Sequence, residues 1–195
     1  MKRILCLLLA AIMMLSLAAC AGDGEENKET EPEETVEQKS NKVNAELKDV
    51  YAALDAEIGF EEKILEVVYM AEDEEEFALW NYGVDPEVVP AFESLTDYAL
   101  TVPTDYCHTF AAFVFDRELT ADEISAIKAK VKEDYLELQA SSLQMYMPEE
   151  YAKMAWACEN EDLIWREYDN ALVMIITDDE EAKDAFEVFE KEALK

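Results

Sequence analysis

The sequence is short of glycine, histidine and basic residues, and each shortage removes a class of function. Four glycines in 195 residues exclude the glycine-rich loops that cradle phosphates, and no Walker or dinucleotide-binding motif occurs. A single histidine, His108, excludes a His-Glu-x-x-His zinc site, and no Gly-x-Ser-x-Gly motif is present. Only 16 basic residues accompany 47 acidic ones, which gives a net charge of −31. Nucleic-acid binding is excluded, because its binders neutralise phosphate with lysine and arginine.

Long apolar runs are also missing, except at the N-terminus. Met1-Lys2-Arg3 precedes an apolar run that ends in Leu17-Ala18-Ala19-Cys20. A spanning helix is the alternative, but residues 4–19 fall short of the roughly 20 residues that a span needs. A basic start, an apolar centre and small residues before a cleavage point are typical of an export signal. The Cys20 segment resembles the lipobox of bacterial lipoproteins, which implies diacylglycerol on the Cys20 sulfur and a tether to the outer face of the cell membrane.

Composition divides the chain into three parts. Residues 1–19 form the predicted lipoprotein signal peptide. Residues 20–43 are rich in glutamate and poor in apolar side chains, so we expect a lipidated, acidic and disordered tether. Residues 44–195 hold most of the apolar and most of the acidic residues, and their length suits one core.

Two cysteines, Cys107 and Cys158, remain in the mature domain besides Cys20. Export permits a disulfide between them, which would close a loop of about 50 residues and stabilise the fold by roughly 4 kcal/mol. The alternative is two free thiols that pack as small apolar residues. The sequence leaves both open.

Helical periodicity and capping signals mark several helices. An apolar face follows Val43 to Ile58, with Asn44 as a predicted N-cap and Gly59 as a predicted stop. Glu74–Asn81 places Phe77 and Trp80 on one side, and Gly83 ends that helix. Pro86 and Pro90 then limit the chain to a short helix and a turn.

The second half of the chain carries three further helix signals. Thr120-Ala121-Asp122-Glu123 forms a capping box that opens a long helix to about Leu143. Its predicted apolar stripe consists of Ile124, Ile127, Val131, Tyr135 and Leu138. Pro148 opens a helix with Tyr151 and Met154. Asp178-Asp179-Glu180-Glu181 begins the last helix, which Phe186, Phe189 and Leu194 hold against the core.

Strand patterns lie between these helices. Residues 107–115 read as a strand buried on both faces, and Ile64–Met70 fits either a strand or a buried helical turn. Asp162–Glu167 and Ala171–Thr177 predict a hairpin about an Asp-Asn turn. The fold class that follows is a single small α+β domain. We expect a mostly antiparallel sheet of three to five strands packed by helices, including one long central helix and a C-terminal helix.

Several of these segments resemble the bacterial domain-of-unknown-function family 4358, known chiefly from lipoproteins of Firmicutes. The matching residues cover roughly positions 45–190 and include Trp80-Asn81-Tyr82-Gly83-Val84-Asp85-Pro86, the 107–115 strand, Met147-Pro148-Glu149-Glu150-Tyr151 and the hairpin before Asp178-Asp179. These motifs are structural, and the resemblance implies no activity. Cys107 and Cys158 are not part of the family pattern.

Candidate chemical groups are few. His108 adjoins Cys107, but neighbouring residues on a strand point to opposite faces, which disfavours a Cys-His dyad. Asp73–Glu76 and Asp178–Glu181 offer oxygen ligands for Ca²⁺, but neither run has the EF-hand spacing or its glycine. We prefer to interpret both runs as helix N-termini with acids that face solvent. Three aromatic residues either line a ligand groove or pack in the core: Trp156, Trp165 and Tyr168.

The sequence therefore predicts a lipid-anchored extracytoplasmic protein of the cell envelope that is not an enzyme and binds a small ligand or another envelope protein. No catalytic residue and no cofactor is expected, and the metal question stays open. The alternative is a module that depends on divalent cations. A carboxylate-based hydrolase is a weaker hypothesis, because among so many acids some pair lies at any required distance.

Overall fold

The computed structural model describes residues 41–59, 64–74, 76–103, 108–177 and 179–195, with the backbone alone for residues 179–183. Contacts group Lys39–Lys195 into one compact unit. The helices are α1 (Leu47–Ile58), α2 (Phe77–Tyr82), α3 (Ala121–Val131), α4 (Leu138–Leu143), α5 (Pro148–Glu159), α6 (Glu161–Ile164) and α7 (Asp179–Ala193). The strands are β1 (Ile64–Tyr69), β2 (Leu95–Pro103), β3 (Thr109–Phe115), β4 (Trp165–Tyr168) and β5 (Ala171–Ile176).

The strands form one antiparallel sheet in the order β1-β2-β3-β5-β4. Helices cover both faces. α1 and α7 pack together on one face, which we call the two-helix face, and the other helices lie on the many-helix face. The predicted α+β class, the antiparallel sheet, the long helix and the C-terminal helix are confirmed.

Burial explains the composition of the central strands. Phe110 points into the two-helix core and Phe113 into the many-helix core, and both side chains are fully buried. β5 is buried along its whole length. Because each face has its own apolar layer, these strands carry continuous apolar runs instead of an apolar-polar alternation. The prediction that residues 107–115 are buried on both faces is confirmed for Thr109–Phe115.

Two glycines end helices as predicted. Gly59 follows α1 with φ 75° and Gly83 follows α2 with φ 66°, the left-handed conformation that glycine adopts without strain. The N-cap prediction for the first helix was wrong. Glu46, not Asn44, precedes α1, because the Asn44 amide turns back to donate to the carbonyl of Lys42 at 3.0 Å.

Alanine substitutions at the two glycines separate backbone strain from crowding. Gly59 has open space around the position of a Cβ, whereas a Cβ on Gly83 would collide with the Asp134 carboxylate and lie 2.8 Å from Lys130 Cγ. We expect Gly59→Ala to cost about 1–2 kcal/mol of left-handed strain. Gly83→Ala should cost about 1–3 kcal/mol more, because it adds overpacking. Urea denaturation of both variants measures the difference, and equal losses would contradict the close contact with Asp134.

The long helix begins with the predicted capping box and runs continuously from α3 into α4. The Thr120 hydroxyl accepts from the Glu123 N–H and the Glu123 carboxylate accepts from the Thr120 N–H. Between α3 and α4, residues Lys132–Glu137 adopt a π-helix. The wider turn rotates the following residues, so Leu136 is buried and Leu138 is 54% exposed. The predicted stripe is therefore correct up to Tyr135 and wrong at Leu138.

The capping box predicts a pH dependence of stability. The Arg117 guanidinium donates to Glu123 at 2.7 and 3.0 Å, and together with Thr120 it lowers the pKa of Glu123 from 4.5 to about 2. A lowered folded-state pKa stabilises the fold above about pH 4.5, and this stabilisation is lost as the pH falls through about 2. We therefore expect the difference in melting temperature between the wild type and Glu123→Gln to shrink over that window. Glu118→Gln removes the same charge outside the capping box, and an equal shrinkage for it would contradict the assignment.

Three other predictions need correction. β2 was not predicted at all. α2 is shorter than Glu74–Asn81, and its buried residues are Ala78 and Tyr82, whereas Trp80 is 71% exposed. The first half of the Asp162–Glu167 strand is helical, because α6 ends at Ile164 and β4 starts at Trp165.

The remaining element predictions are largely confirmed. Ile64–Met70 resolves into strand β1 and a following 3₁₀ turn, Met70–Glu72. Pro148 is the first residue of α5, with Met154 fully buried. Phe186 and Phe189 bury the inner side of α7. The side chains of the Asp178–Glu181 cap lie outside the described residues.

Candidate functional site

The predicted lipid attachment and disulfide fall partly or wholly outside the described residues. Cys20 and Cys107 are not described, whereas Cys158 lies half-buried on α5. Burial raises the pKa of the Cys158 sulfhydryl, with the nearby Glu137 charge adding to the effect. The anchor at Cys20 and the bridge between Cys107 and Cys158 stay predictions.

The other candidate groups separate in the fold. His108 is buried just before β3, as a packed histidine would be. Trp165 lies in the many-helix core and Tyr168 in the two-helix core, while Trp156 is 39% exposed. The sheet thus separates Trp165 from Tyr168, so the shared-groove interpretation was wrong and the core interpretation is confirmed for both.

Asp73 has a structural role. Its carboxylate accepts from the N–H groups of Phe77 at 2.7 Å and Ala78 at 2.9 Å, and from the Tyr98 hydroxyl at 2.5 Å. Desolvation raises the pKa of Asp73, but these three hydrogen bonds outweigh it and lower the pKa below its usual value. Asp73 is therefore ionised at neutral pH and holds the start of α2 against β2. For Asp73, the helix N-terminus explanation is confirmed.

Metal-ligand groups do not converge in the described part of the chain. Across those residues, no group of three or more histidine, cysteine, aspartate or glutamate side chains has the geometry to hold a metal ion. In the same ranges, no helix is both long enough and apolar enough to span a bilayer.

In the described part of the chain, two surface cavities that are large enough to receive a ligand group can be compared. The larger, about 480 Å³, lies between α1 and α7 and is lined by Glu57, Ile58, Asp184, Glu187, Val188 and Lys191. Lys191 pairs with Glu57 at 3.2 Å, so part of its charge is already neutralised by an ion pair. This cavity offers no obvious preference for one ligand class.

The smaller cavity, which we call the acidic groove, has a distinct character. It measures about 330 Å³ and is lined by Glu66, Val67, Val68, Glu72, Asp73, Glu74 and Phe77. The lining thus combines four acidic residues with three apolar ones. Lys48 pairs with Glu72 at 3.5 Å, with both side chains more than half exposed, and an exposed pair of this kind contributes little.

Two large exposed apolar side chains are close in sequence to residues that line the acidic groove. Trp80 is 71% exposed and lies one helical turn after Phe77, on the same side of α2. Leu65 is 72% exposed on β1, next to Glu66. Single exposed apolar residues are common, but an exposed tryptophan one helical turn after a residue of an acidic groove brings together the two kinds of surface that attract organic cations.

Sequence patterns indicate this site only in part. The run Asp73–Glu76 was noticed as an acidic cluster and Trp80 as an aromatic residue, yet nothing placed Glu66 and Val68 beside them. That placement depends on β1 being an edge strand, which follows from the pairing of the whole sheet.

Comparisons with protein-family models, with curated proteins and with solved structures found no match to this chain. The resemblance to the domain-of-unknown-function family 4358 stays a prediction.

Proposed function

We propose that this chain is a lipid-anchored binding module of the cell envelope, without enzymatic activity, whose acidic groove receives the ammonium or guanidinium group of a cationic ligand. The observation that carries the proposal is that Glu66, Glu72, Asp73 and Glu74 line one groove together with apolar side chains, and that Trp80, one helical turn after the lining residue Phe77, is exposed.

Charge and shape both favour a cation. A cleft lined by one sign of charge, with apolar walls, focuses the electrostatic field and concentrates counter-ions. Asp73 supplies a negative charge that is fixed in place, because its hydrogen bonds hold the carboxylate ionised. Trp80 offers an aromatic face, on which an ammonium or guanidinium group gains about 0.5–1 kcal/mol at an exposed position.

Asp73 also argues against acid catalysis at this groove. A general acid needs a proton at working pH and therefore a raised pKa, whereas the pKa of Asp73 is lowered. Its carboxylate already accepts three hydrogen bonds, two from N–H groups of α2 and one from the Tyr98 hydroxyl. Binding is the simpler use of this groove.

The test is a calorimetric titration of the full chain in detergent with tetralysine. Glu66 and Glu74 are both exposed, so Glu66→Gln/Glu74→Gln should fold normally and lower the affinity about fivefold or more, since each exposed pair contributes up to about 1 kcal/mol. The matched control is Glu149→Gln/Glu159→Gln on α5, which removes the same net charge elsewhere. Equal loss in both double variants would mean that tetralysine responds to the net charge alone, and would contradict the proposal.

A further inference from the structure

The two edges of the sheet differ in how they are protected. β4 is four residues long, and its exposed centre carries Arg166 and Glu167. Glu167 pairs with Lys128 at 2.5 Å, and the Arg166 guanidinium lies 4.4 Å from the centre of the Phe186 ring. Short strands with fixed charges are the usual protection against pairing with another chain.

β1 is protected less than β4: a β-bulge interrupts its pairing with β2 at Leu65, and Lys48 Nζ lies 5.4 Å from the centre of the Tyr69 ring, but no charge on the strand itself is held by an ion pair in the described part of the chain. β1 is six residues long, its sequence is Ile-Leu-Glu-Val-Val-Tyr, and it carries the single charge of Glu66. Within the described residues, β1 pairs with β2 alone, and no backbone hydrogen bond from a turn or loop reaches Ile64–Tyr69. Leu65 stands 72% exposed. An apolar edge with free N–H and C=O groups is a template for a further strand.

The negative charge around β1 determines which kind of segment can pair with it. A second copy of this chain would bring its own β1 and acidic groove, at a net charge of −31 per chain, against the same acids. Residues 21–40 of the chain itself hold eight acidic and two basic residues and contain Pro32, and proline interrupts strand pairing. A basic segment of another protein is the complementary occupant.

We infer that an extended, basic segment of a second envelope protein adds to the free edge of β1 as a sixth strand of the sheet. Side chains alternate between the two faces of a strand. A lysine or arginine at every second position therefore lies over the acidic groove on the many-helix face. The residues between them lie beside the half-buried Val67 and Tyr69 on the two-helix face, so apolar side chains suit them.

This inference rests on the proposed cation site and adds the backbone as a second recognition element. The two modes of binding differ in what they require of the ligand. A cation held by carboxylates alone can belong to a ligand of any backbone conformation. An added strand instead uses the N–H groups of alternate residues for pairing, while the other N–H groups point away from the sheet.

The test uses a nine-residue peptide of alternating lysine and valine, titrated into the full chain. Two further peptides carry N-methyl groups, one on the lysine amides and the other on the valine amides. We expect one methylated peptide to lose about tenfold or more in affinity and the other to bind like the parent, because only one set of N–H groups faces β1. An alternating glutamate-valine peptide should not bind.

Variants of the chain locate the edge. Leu65→Lys places a repelling charge on an exposed position of β1 and should lower the affinity for the parent peptide about tenfold. Glu159→Lys on α5 makes the net charge less negative by two units, one more than Leu65→Lys does, at a distant exposed position, and it should have the smaller effect. Unchanged melting temperatures of both variants confirm that they fold.

The outcomes are distinguishable. If both methylated peptides bind like the parent, strand addition is overturned while the proposed cation site stands. If neither tetralysine nor the parent peptide binds, both strand addition and the proposed function are overturned. If the chain forms a dimer that Leu65→Lys dissociates, a second copy occupies the edge and the inferred occupant is wrong.

Discussion

Tyr82→Ala is expected to lower the free energy of unfolding by about 4 kcal/mol, in the range for deleting a fully buried aromatic side chain. The Tyr82 ring stacks on Tyr135 at 4.4 Å between centroids, with 9° between planes, and also contacts Phe77 and Phe113. Its hydroxyl donates to the carbonyl of Thr101 at 3.0 Å. One side chain thus joins α2, the π-helical segment and the centre of the sheet.

Two controls separate the parts of this effect. Tyr82→Phe keeps the ring and should cost about 1 kcal/mol for the lost hydrogen bond. Trp80→Ala removes a larger side chain from the same helix. Because the Trp80 side chain is exposed, the free energy of unfolding should change by no more than about 0.5 kcal/mol. Urea midpoints at constant slope report all three variants. If Trp80→Ala costs as much as Tyr82→Ala, the description of α2 is wrong and Trp80 is not free for a ligand.

Asn170→Ala is expected to cost about 3 kcal/mol, because it leaves two buried backbone groups without partners. Asn170 is the second residue of the β4–β5 turn and is 4% exposed. Its side-chain oxygen accepts from the Val43 N–H at 2.8 Å, and its amide donates to the Val43 carbonyl at 3.1 Å. The side chain therefore fixes the segment through which the predicted tether enters the domain.

Asn160→Ala is the matched control for this prediction. Asn160 follows α5 and donates to the Trp156 carbonyl at 2.9 Å, in an exposed position. Water can replace that bond, so the loss should stay within about 1 kcal/mol. Thermal and urea unfolding compare Asn170→Ala with Asn160→Ala. Similar losses of unfolding free energy in the two variants would show that Asn170 does not hold Val43.

Local signals in the sequence were reliable where one residue type decides the conformation. Gly59 and Gly83 end helices because they adopt positive φ, and the Thr120 hydroxyl begins one because it accepts from the Glu123 N–H. Pro148 begins another at a position that needs no donor. Each of these effects depends on neighbours within a few residues, so the sequence contains the information.

Predictions failed where distant contacts decide the outcome. β2 contains Asp97 and Thr101, which weaken its apolar pattern, yet it pairs with a strand on each side. The buried Thr101 hydroxyl accepts from the Phe110 N–H and donates to the Phe110 carbonyl. Strand β3 therefore supplies the hydrogen-bond partners that this polar group needs inside the core. Pairing of this kind overrides strand propensity, and the sequence pattern alone does not show it.

The candidate site depends even more on topology. The acidic groove exists because β1 lies at an edge, so that the Asp73 segment and α2 pack beside it without covering it. The sequence showed an acidic run and placed Trp80 on the same helical side as Phe77, but it did not predict that Trp80 would be exposed. It had no means of deciding which strand of the sheet would keep a free edge.

The most direct test of the account is backbone hydrogen exchange of the full chain with and without the alternating lysine-valine peptide. Strand addition predicts slower exchange at alternate residues of Ile64–Tyr69, with β4 unchanged. Unchanged exchange along β1 under conditions of saturating peptide would contradict the inferred strand addition, and protection appearing at Trp165–Tyr168 would place the binding edge on the opposite side of the sheet.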